Sequence, residues 1–156
     1  MYNKILVPHA GTAAGDEALR HAIHIATLSS SKIFLLHIVE KILYPSSFAL
    51  SSSERESLFK DIDEANKSIK NDMKKEMESK QKIFSENNLK SEIIVSIGNA
   101  AEIILETVQE KQIDLIVMAK RRKLKGLKKL LSLGSVSRKV VENVNCPVVL
   151  VDIENL

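Results

Sequence analysis

The chain has 156 residues and a mass of 17.4 kDa, of which 44% are hydrophobic and 28% charged, and its formal net charge is +3. These values are typical of one globular domain and exclude a generally basic protein. No apolar run approaches the roughly 20 residues that a membrane-spanning helix needs. The apolar run that ends at Pro8 is too short for a secretory signal. We therefore expect a cytoplasmic protein without a membrane partner.

The first half of the chain alternates short apolar runs with an amphipathic segment. An apolar run at 5–7 stops at Pro8 and Gly11, which predicts a strand buried on both faces. A helix is predicted next, because apolar residues recur at helical spacing before a cluster of serines; these residues are Leu19, Ala22, Ile23 and Ala26. The apolar run 33–39 predicts the second strand.

The second half continues the alternation. After an irregular connection at 40–53, a long amphipathic helix is predicted from apolar residues spaced by three or four, namely Leu58, Ile62, Ala65, Ile69, Met73 and Met77. A third strand is predicted at 91–97, followed by a helix with Asn99 as its N-cap and Glu102 three residues later. The remaining predicted elements are a strand at 115–119, a helix from Ser135 to about Asn143 and a strand at 148–151.

Five strands alternating with four helices indicate an α/β fold with a parallel sheet. Helices should cover both faces, because each right-handed crossover between parallel strands needs a helix to return the chain. No internal repeat or linker divides residues 1–156, so we expect a single domain. In open sheets of this kind, ligands bind beyond the carboxyl ends of the strands, at the point where the strand order reverses.

A densely basic run connects the fourth strand to the last helix. Seven cations and no acid occur from Lys120 to Lys129, and Gly134-Ser135 then opens the helix. The free backbone N–H groups and positive dipole end of a helix attract anions, and nearby cations strengthen that field. The segment therefore predicts an anion site, with a solvated basic surface as the alternative interpretation.

Several motifs occur in an order that resembles the universal stress protein family over nearly the whole chain: KILVPHAGT, LLHIVE, GNAAEIIL, DLIVMA and GSVSRKVVENVNCPVVLV. The resemblance implies a Rossmann-like sheet, similar to that of the adenine nucleotide alpha hydrolases, with strand order 3-2-1-4-5. It also implies a small cytoplasmic protein associated with survival under stress and commonly a homodimer. Family dimers usually form through the fifth strand, so the candidate interface consists of Val148, Val149, Leu150 and Val151.

One branch of this family binds ATP and another does not. ATP-binding members carry the motif G-x2-G-x9-G-S, in which x is any residue. This chain keeps Gly134-Ser135, has Ala119 and then Arg122 or Lys123 where the first two glycines fall, and has a loop two residues longer. A nucleoside-binding Asp of the family corresponds to Ala10, which cannot accept a hydrogen bond.

These differences from the family pattern imply a degenerate nucleotide site, because side chains block the close approach of phosphates to the backbone. In the family, backbone groups just after the His of the second strand usually contact the adenine, and the resemblance places this contact at Ile38, after His37. The candidate nucleotide-binding residues are Pro8, His9, Ala10, Gly11, Thr12, Ile38, Met118, Ala119, Arg121, Arg122, Gly134, Ser135, Val136 and Ser137.

We therefore expect a non-catalytic ligand sensor or interaction module, whose ligand could be ATP, another adenine nucleotide or a different phosphate-bearing anion. One alternative keeps ATP binding, with the basic loop in place of the glycines. Another is a scaffold that docks an acidic partner through Lys120–Lys129. Nucleic acid is disfavoured, because the chain has no Trp and few other aromatic residues for base stacking.

No catalytic group of residues is evident. Ser135 lacks the G-x-S-x-G context of a nucleophile. His9, at the mouth of the predicted crevice, is the one imidazole placed to touch a ligand, but nothing in the sequence orients it as a general base. His21 and His24 lack a third metal ligand and are expected to face solvent. His37, inside an apolar strand, is expected to be a core histidine with its hydrogen bonds satisfied.

Overall fold

The computed structural model describes residues 1–42, 50–120 and 134–152. Its strands are β1 (Lys4–Pro8), β2 (Lys32–Val39), β3 (Ser91–Ile97), β4 (Leu115–Ala119) and β5 (Val148–Val151). Its helices, numbered here along the described residues, are α1 (Ala13–Ser29), α2 (Ser52–Ser79), α3 (Gln81–Glu86), α4 (Ala100–Lys111) and α5 (Ser135–Asn143). None of these helices is long and apolar enough to cross a membrane.

The strands form one parallel sheet in the order β3-β2-β1-β4-β5, which confirms the order implied by the family resemblance. β1 lies in the centre, where Ile5 pairs with Ile33 of β2 on one side and with Leu115 of β4 on the other. The strand order reverses between β1 and β4, so the ends of these strands at Pro8 and Ala119 flank the predicted crevice. β3 and β5 are the two edges.

Both faces of the sheet are buried, because the strands are apolar on both sides. One core joins the sheet to α1, α2 and α3 and includes Val7, Leu35, Leu19, Met77 and Phe84. The other core joins it to α4 and α5 and includes Leu6, Phe34, Ile104 and Val140. Each fully buried side chain of this size contributes about 1.5–3 kcal/mol, so the strand ends that carry the candidate site are held on a rigid frame.

The long helix α2 begins earlier than its apolar spacing predicts. Its N-cap is Ser51, whose Oγ accepts a hydrogen bond from the Glu54 N–H at 3.4 Å, while the Glu54 carboxylate accepts one from the Ser51 N–H at 2.9 Å. This reciprocal capping box is made of polar residues outside the apolar stripe. The sequence analysis also did not predict α3, whose Phe84 is fully buried.

The predicted N-cap of α4 and the predicted end of α1 at the serine cluster are confirmed. The Asn99 side chain accepts a hydrogen bond from the Glu102 N–H at 3.2 Å and so satisfies one of the free donors at the start of α4. At the end of α1, Ser30 adopts a left-handed conformation with φ 55°. Ser31 is buried and its hydroxyl donates to the Tyr2 carbonyl at 2.7 Å, which ties the end of α1 to the start of β1.

Candidate functional site

Two helix N-termini follow the strands that flank the reversal of strand order. Thr12 is the N-cap of α1, and its hydroxyl accepts a hydrogen bond from the Gly15 N–H at 3.3 Å. Gly134 is the N-cap of α5 and has no side chain with which to satisfy the first N–H groups of that helix. Each of these helix ends carries a partial positive charge. The first turn of α1 already holds the carboxylate of Asp16, whereas α5 has no side-chain cap, so the anion site at Gly134-Ser135 stays a prediction.

The loop after β1 offers little to a ligand. Ala10 is exposed and presents a methyl group, which cannot accept a hydrogen bond. Gly11 adopts a left-handed conformation with φ 68°, which would cost another residue about 1–2 kcal/mol. The Gly11 N–H donates to His9 Nδ1 at 3.0 Å. This backbone donor is therefore engaged within the protein and is not free for a nucleotide.

The expectation for His9 at the mouth of the crevice is corrected by its surroundings. The residue is 3% exposed, so it is buried and does not lie at an open mouth. Its Nε2 lies 3.0 Å from Asp16 Oδ1, and the same carboxylate oxygen accepts from Lys80 Nζ at 2.6 Å. Both ring nitrogens are therefore oriented, although the sequence indicated no partner. We assign the proton to Nε2, because Nδ1 accepts from Gly11.

The environment favours the neutral form of His9. Burial lowers the pKa of its imidazole below the ordinary value of 6.5, and the hydrogen bond to Asp16 opposes that shift only in part. The Lys80 hydrogen bond lowers the pKa of Asp16, with the His9 contact acting in the same direction. Asp16 is therefore a carboxylate and His9 a neutral imidazole at pH 7. Protonation of His9 would also place a proton on Nδ1 and break the hydrogen bond from Gly11.

The free energy of unfolding should consequently fall as the pH drops below about 6.5. The unfolded chain binds a proton at the ordinary pKa of His9, whereas the folded chain resists protonation until a lower pH, so acid favours unfolding. One such group contributes a slope of at most about 1.4 kcal/mol per pH unit. Urea unfolding between pH 8 and pH 5 measures this slope, and the His9→Gln variant should show a flatter dependence. Equal slopes for the two chains would contradict the assignment.

Gly15 makes room for the His9 ring. A Cβ atom at Gly15 would lie 2.9 Å from His9 Nε2, closer than side-chain carbons approach other atoms. His37 packs beside the same group, with Nδ1 lying 2.8 Å from the His9 carbonyl oxygen, and it is 6% exposed. The prediction that His37 is a satisfied core histidine is confirmed. His9, Gly15, Asp16 and Lys80 thus join the end of β1 to the first turn of α1 and the end of α2; we call these four residues the His9 cluster.

The other predicted site residues occupy three environments. Met118 is 4% exposed and belongs to the core that α4 and α5 cover, and Ile38 and Val136 pack against that core. Ser135 is exposed and Ser137 is 3% exposed, both in the first turn of α5. Ala119, at the end of β4, is partly buried and packs against the opposite core. Arg121 and Arg122 lie outside the described residues.

Lys120 begins the basic run and is the member of that run which the structure describes. Its backbone N–H donates to the Val151 carbonyl at 2.7 Å, and its Nζ lies 3.6 Å from Asp152 Oδ2. Such partly exposed ion pairs contribute about 0–1 kcal/mol. This contact links the start of the basic run to the end of β5.

His21 and His24 face solvent, as predicted. His21 Nε2 lies 3.4 Å from Glu17 Oε1, one turn earlier on α1. In the described parts of the chain, no group of three or more His, Cys, Asp or Glu residues is arranged to hold a metal ion.

The candidate interface strand β5 lies at an edge of the sheet. Val148 and Leu150 pack against one core, Val149 packs against the other, and Val151 is buried. The Ile116 N–H donates to the Pro147 carbonyl and the Lys120 N–H to the Val151 carbonyl. Because backbone groups of successive strand residues point to opposite sides, those of Val148 and Leu150 point away from β4. The edge of β5 therefore presents outward backbone groups at Val148 and Leu150, and the side chains of Val148, Val149 and Leu150 are partly exposed.

Sequence reasoning missed Gly15, Asp16 and Lys80. Asp16 could have been noticed as an acid in the first turn of a helix, where a carboxylate complements the dipole. Lys80 is separated from Asp16 by 64 positions, and no local pattern connects them.

A parallel five-stranded sheet of this order, with two helix N-termini beside the reversal point, defines a Rossmann-like α/β protein. The chain belongs to the universal stress protein family, whose model, described as "Universal stress protein family", matches residues 1–152. It is 32% identical to Universal stress protein YxiE of Bacillus subtilis over 151 residues, which cover 97% of this chain and 99% of the relative.

Two other relatives extend the comparison. Universal stress protein MJ0577 of Methanocaldococcus jannaschii is 30% identical over 161 residues, covering 99% of this chain and 98% of the relative. The solved MJ0577 structure superposes with a TM-score of 0.79 at 26% identity, covering 100% and 99% of the two chains. An Arabidopsis thaliana universal stress protein family structure with AMP bound shares the fold, with a TM-score of 0.58 at 18% identity and coverage of 96% and 91%.

Proposed function

We propose that this universal stress protein is a non-catalytic ligand sensor or interaction module of the stress response, with a degenerate nucleotide site. The observation that carries the proposal is the loop after β1. Ala10 presents a methyl group, and the Gly11 N–H is engaged by His9. A ligand in the crevice therefore finds neither an acceptor side chain nor that backbone donor.

The retained part of the site supports weak anion binding. Gly134 and Ser135 start α5 without a side-chain cap, so its first N–H groups can receive an anion. An exposed helix end contributes about 0.3–1 kcal/mol, whereas a lost hydrogen bond to a charged group costs about 1.5–3 kcal/mol. The loss outweighs what the helix end supplies. The Arabidopsis relative with AMP bound supports an adenine nucleotide as the class of ligand to test first.

Isothermal titration with ATP tests this proposal. The natural chain should bind ATP more weakly than micromolar. An Ala10→Asp variant should bind about 10- to 100-fold more tightly, because it restores a charged acceptor at that position. Ala13→Asp is the matched control: it adds the same charge at another exposed position of the same loop and helix start, and it should not improve binding.

Micromolar ATP binding by the natural chain would contradict the degenerate site. If that binding weakened when Ser135 and Arg121 were replaced, the alternative would hold, in which the basic loop takes the place of the glycines. The scaffold alternative predicts a different result, namely loss of an acidic partner when Lys120–Lys129 are neutralised. Ion pairing of Lys120 with Asp152 already occupies one of those cations.

We further propose that the protein works in the cytoplasm as a homodimer joined through β5. The support is the open backbone edge at Val148 and Leu150, which an identical edge can pair with across a two-fold axis. Two such strands form a continuous sheet without exposing the side chains of either core.

A further inference from the structure

The opposite edge of the sheet borders a groove of about 720 Å³ between α2 and α4. The strand β3 forms its floor, and all of its residues are partly exposed. Its walls are two helices packed on opposite faces of the sheet. The described lining residues are Lys70, Lys74, Glu92, Ile93, Ile94, Val95, Ser96, Ile97, Ile103, Glu106, Thr107, Glu110 and Lys111.

Among the residues that the structure describes, no strand pairs with the outward backbone groups of β3. The Ile33 N–H donates to the Lys90 carbonyl and the Gly98 N–H to the Val39 carbonyl, so the even-numbered residues of β3 face β2. The N–H and C=O groups of Ile93 and Val95 therefore point outward. An open edge with apolar residues on both faces pairs readily with another extended segment.

The two walls carry opposite charges. Lys70 and Lys74 are exposed on the α2 wall, and the contact of Lys74 Nζ with Glu78 is a weak one at 3.8 Å. Glu106 and Glu110 are exposed on the α4 wall.

Glu92, near the beginning of β3, does not add a free negative charge to the groove. Lys32 and Lys111 bind its carboxylate at 2.7 and 2.6 Å. Glu92 and its two lysines together leave one positive charge at that end of the groove, so the α4 wall is negative along Glu106 and Glu110 only.

We propose that this groove binds an extended segment of a partner protein in which acidic and basic residues alternate. Side chains of a strand added beside β3 would point alternately to the α2 wall and to the α4 wall. Acidic residues would then meet Lys70 and Lys74, and basic residues would meet Glu106 and Glu110. Main-chain hydrogen bonds supply the pairing, and the two walls supply the selectivity.

A second copy of this chain fits the groove poorly. Antiparallel pairing of two β3 edges about a two-fold axis would keep each face of the sheet on its own side. The α2 lysines of one copy would then oppose those of the other, and the α4 glutamates would do the same. Like charges directly opposite each other are destabilising.

Fluorescence anisotropy with short capped peptides tests the proposal. A peptide of strictly alternating Glu and Lys should bind about tenfold more tightly than one of equal composition written as Glu-Glu-Lys-Lys repeats, because the latter places both signs on each face. The natural chain is used at a concentration where its oligomeric state is established by sedimentation.

Variants of the walls give the sharper comparison. Lys70→Glu with Lys74→Glu, and separately Glu106→Lys with Glu110→Lys, should each weaken binding of the alternating peptide about tenfold. The four substitutions together exchange the charges of the two walls. They should restore binding of the alternating peptide, because a shift of the peptide by one residue exchanges the charges of its two faces. All four positions are exposed, so the fold should persist.

Equal binding of the two peptides, or failure of the fourfold variant to recover, would overturn the proposal. Self-association through β3, seen as dimers that are lost when Val95→Pro removes an outward N–H of that strand, would also overturn it. Neither result bears on ATP binding, so the degenerate nucleotide site is judged separately.

Discussion

Gly15→Ala is expected to destabilise the protein by about 1–3 kcal/mol, the range for forcing extra carbon into a filled interior. The added Cβ would lie 2.9 Å from His9 Nε2 and 3.0 Å from the neighbouring ring carbons. The ring cannot move aside freely, because Asp16 and the Gly11 N–H hold its two nitrogens. Urea unfolding at pH 7.5 measures the change.

A double-mutant cycle supplies the control. When His9 is already alanine, the ring is absent and the extra methyl group at position 15 has space. Alanine has the higher helix propensity, so Gly15→Ala should then stabilise by up to about 1 kcal/mol. If Gly15→Ala lowers the free energy of unfolding in the natural chain and raises it in the His9→Ala variant, the contact with His9 is the cause. Stabilisation by Gly15→Ala in the natural background would refute the close packing of the His9 cluster.

Leu150→Pro is expected to raise the dimer dissociation constant at least about 100-fold while leaving the protomer folded. The Leu150 N–H points away from β4, so proline removes no bond of the sheet. Across a two-fold axis, the substitution removes a donor from each protomer. Each carbonyl left unpaired in a buried interface costs about 1–3 kcal/mol. Sedimentation velocity measures the dimer, and circular dichroism checks the fold.

Val95→Pro is the matched substitution at the other edge of the sheet. Its N–H also points outward, but from β3, so it should leave a dimer joined through β5 intact. A monomeric natural chain would contradict the dimer proposal outright. A dimer that survived Leu150→Pro would instead place the interface elsewhere, for instance on the long helix α2.

The strands were predicted closely because each is a short apolar run with a clear end. The strands at 91–97, 115–119 and 148–151 have the predicted bounds. The start of the long helix was predicted less accurately. The apolar stripe from Leu58 to Met77 marks its buried face and gives no sign of its polar N-cap at Ser51. The helix α3 escaped prediction because six residues are too few to display a helical period.

The candidate site could be predicted in outline. Pro8 and Ala119 lie at neighbouring strand ends, as expected for a sheet whose order reverses there. Gly134-Ser135 opens α5 as predicted. His9 was placed at the right strand end but given the wrong environment, because burial depends on α1 and α2 closing over it and no local pattern reports that.

Sequence alone determined the family, the alternation of strands and helices, and the absence of an acceptor at Ala10, because these depend on residue types and on periodicities between neighbours. Tertiary structure alone decided that His9 is buried and held by Gly11 and by Asp16, whose carboxylate also binds Lys80, and that Gly15 must lack a side chain. It also decided that two oppositely charged helix walls flank the open edge of β3. The physical reason is that these features arise between residues far apart in the chain, where distance and burial are set by packing.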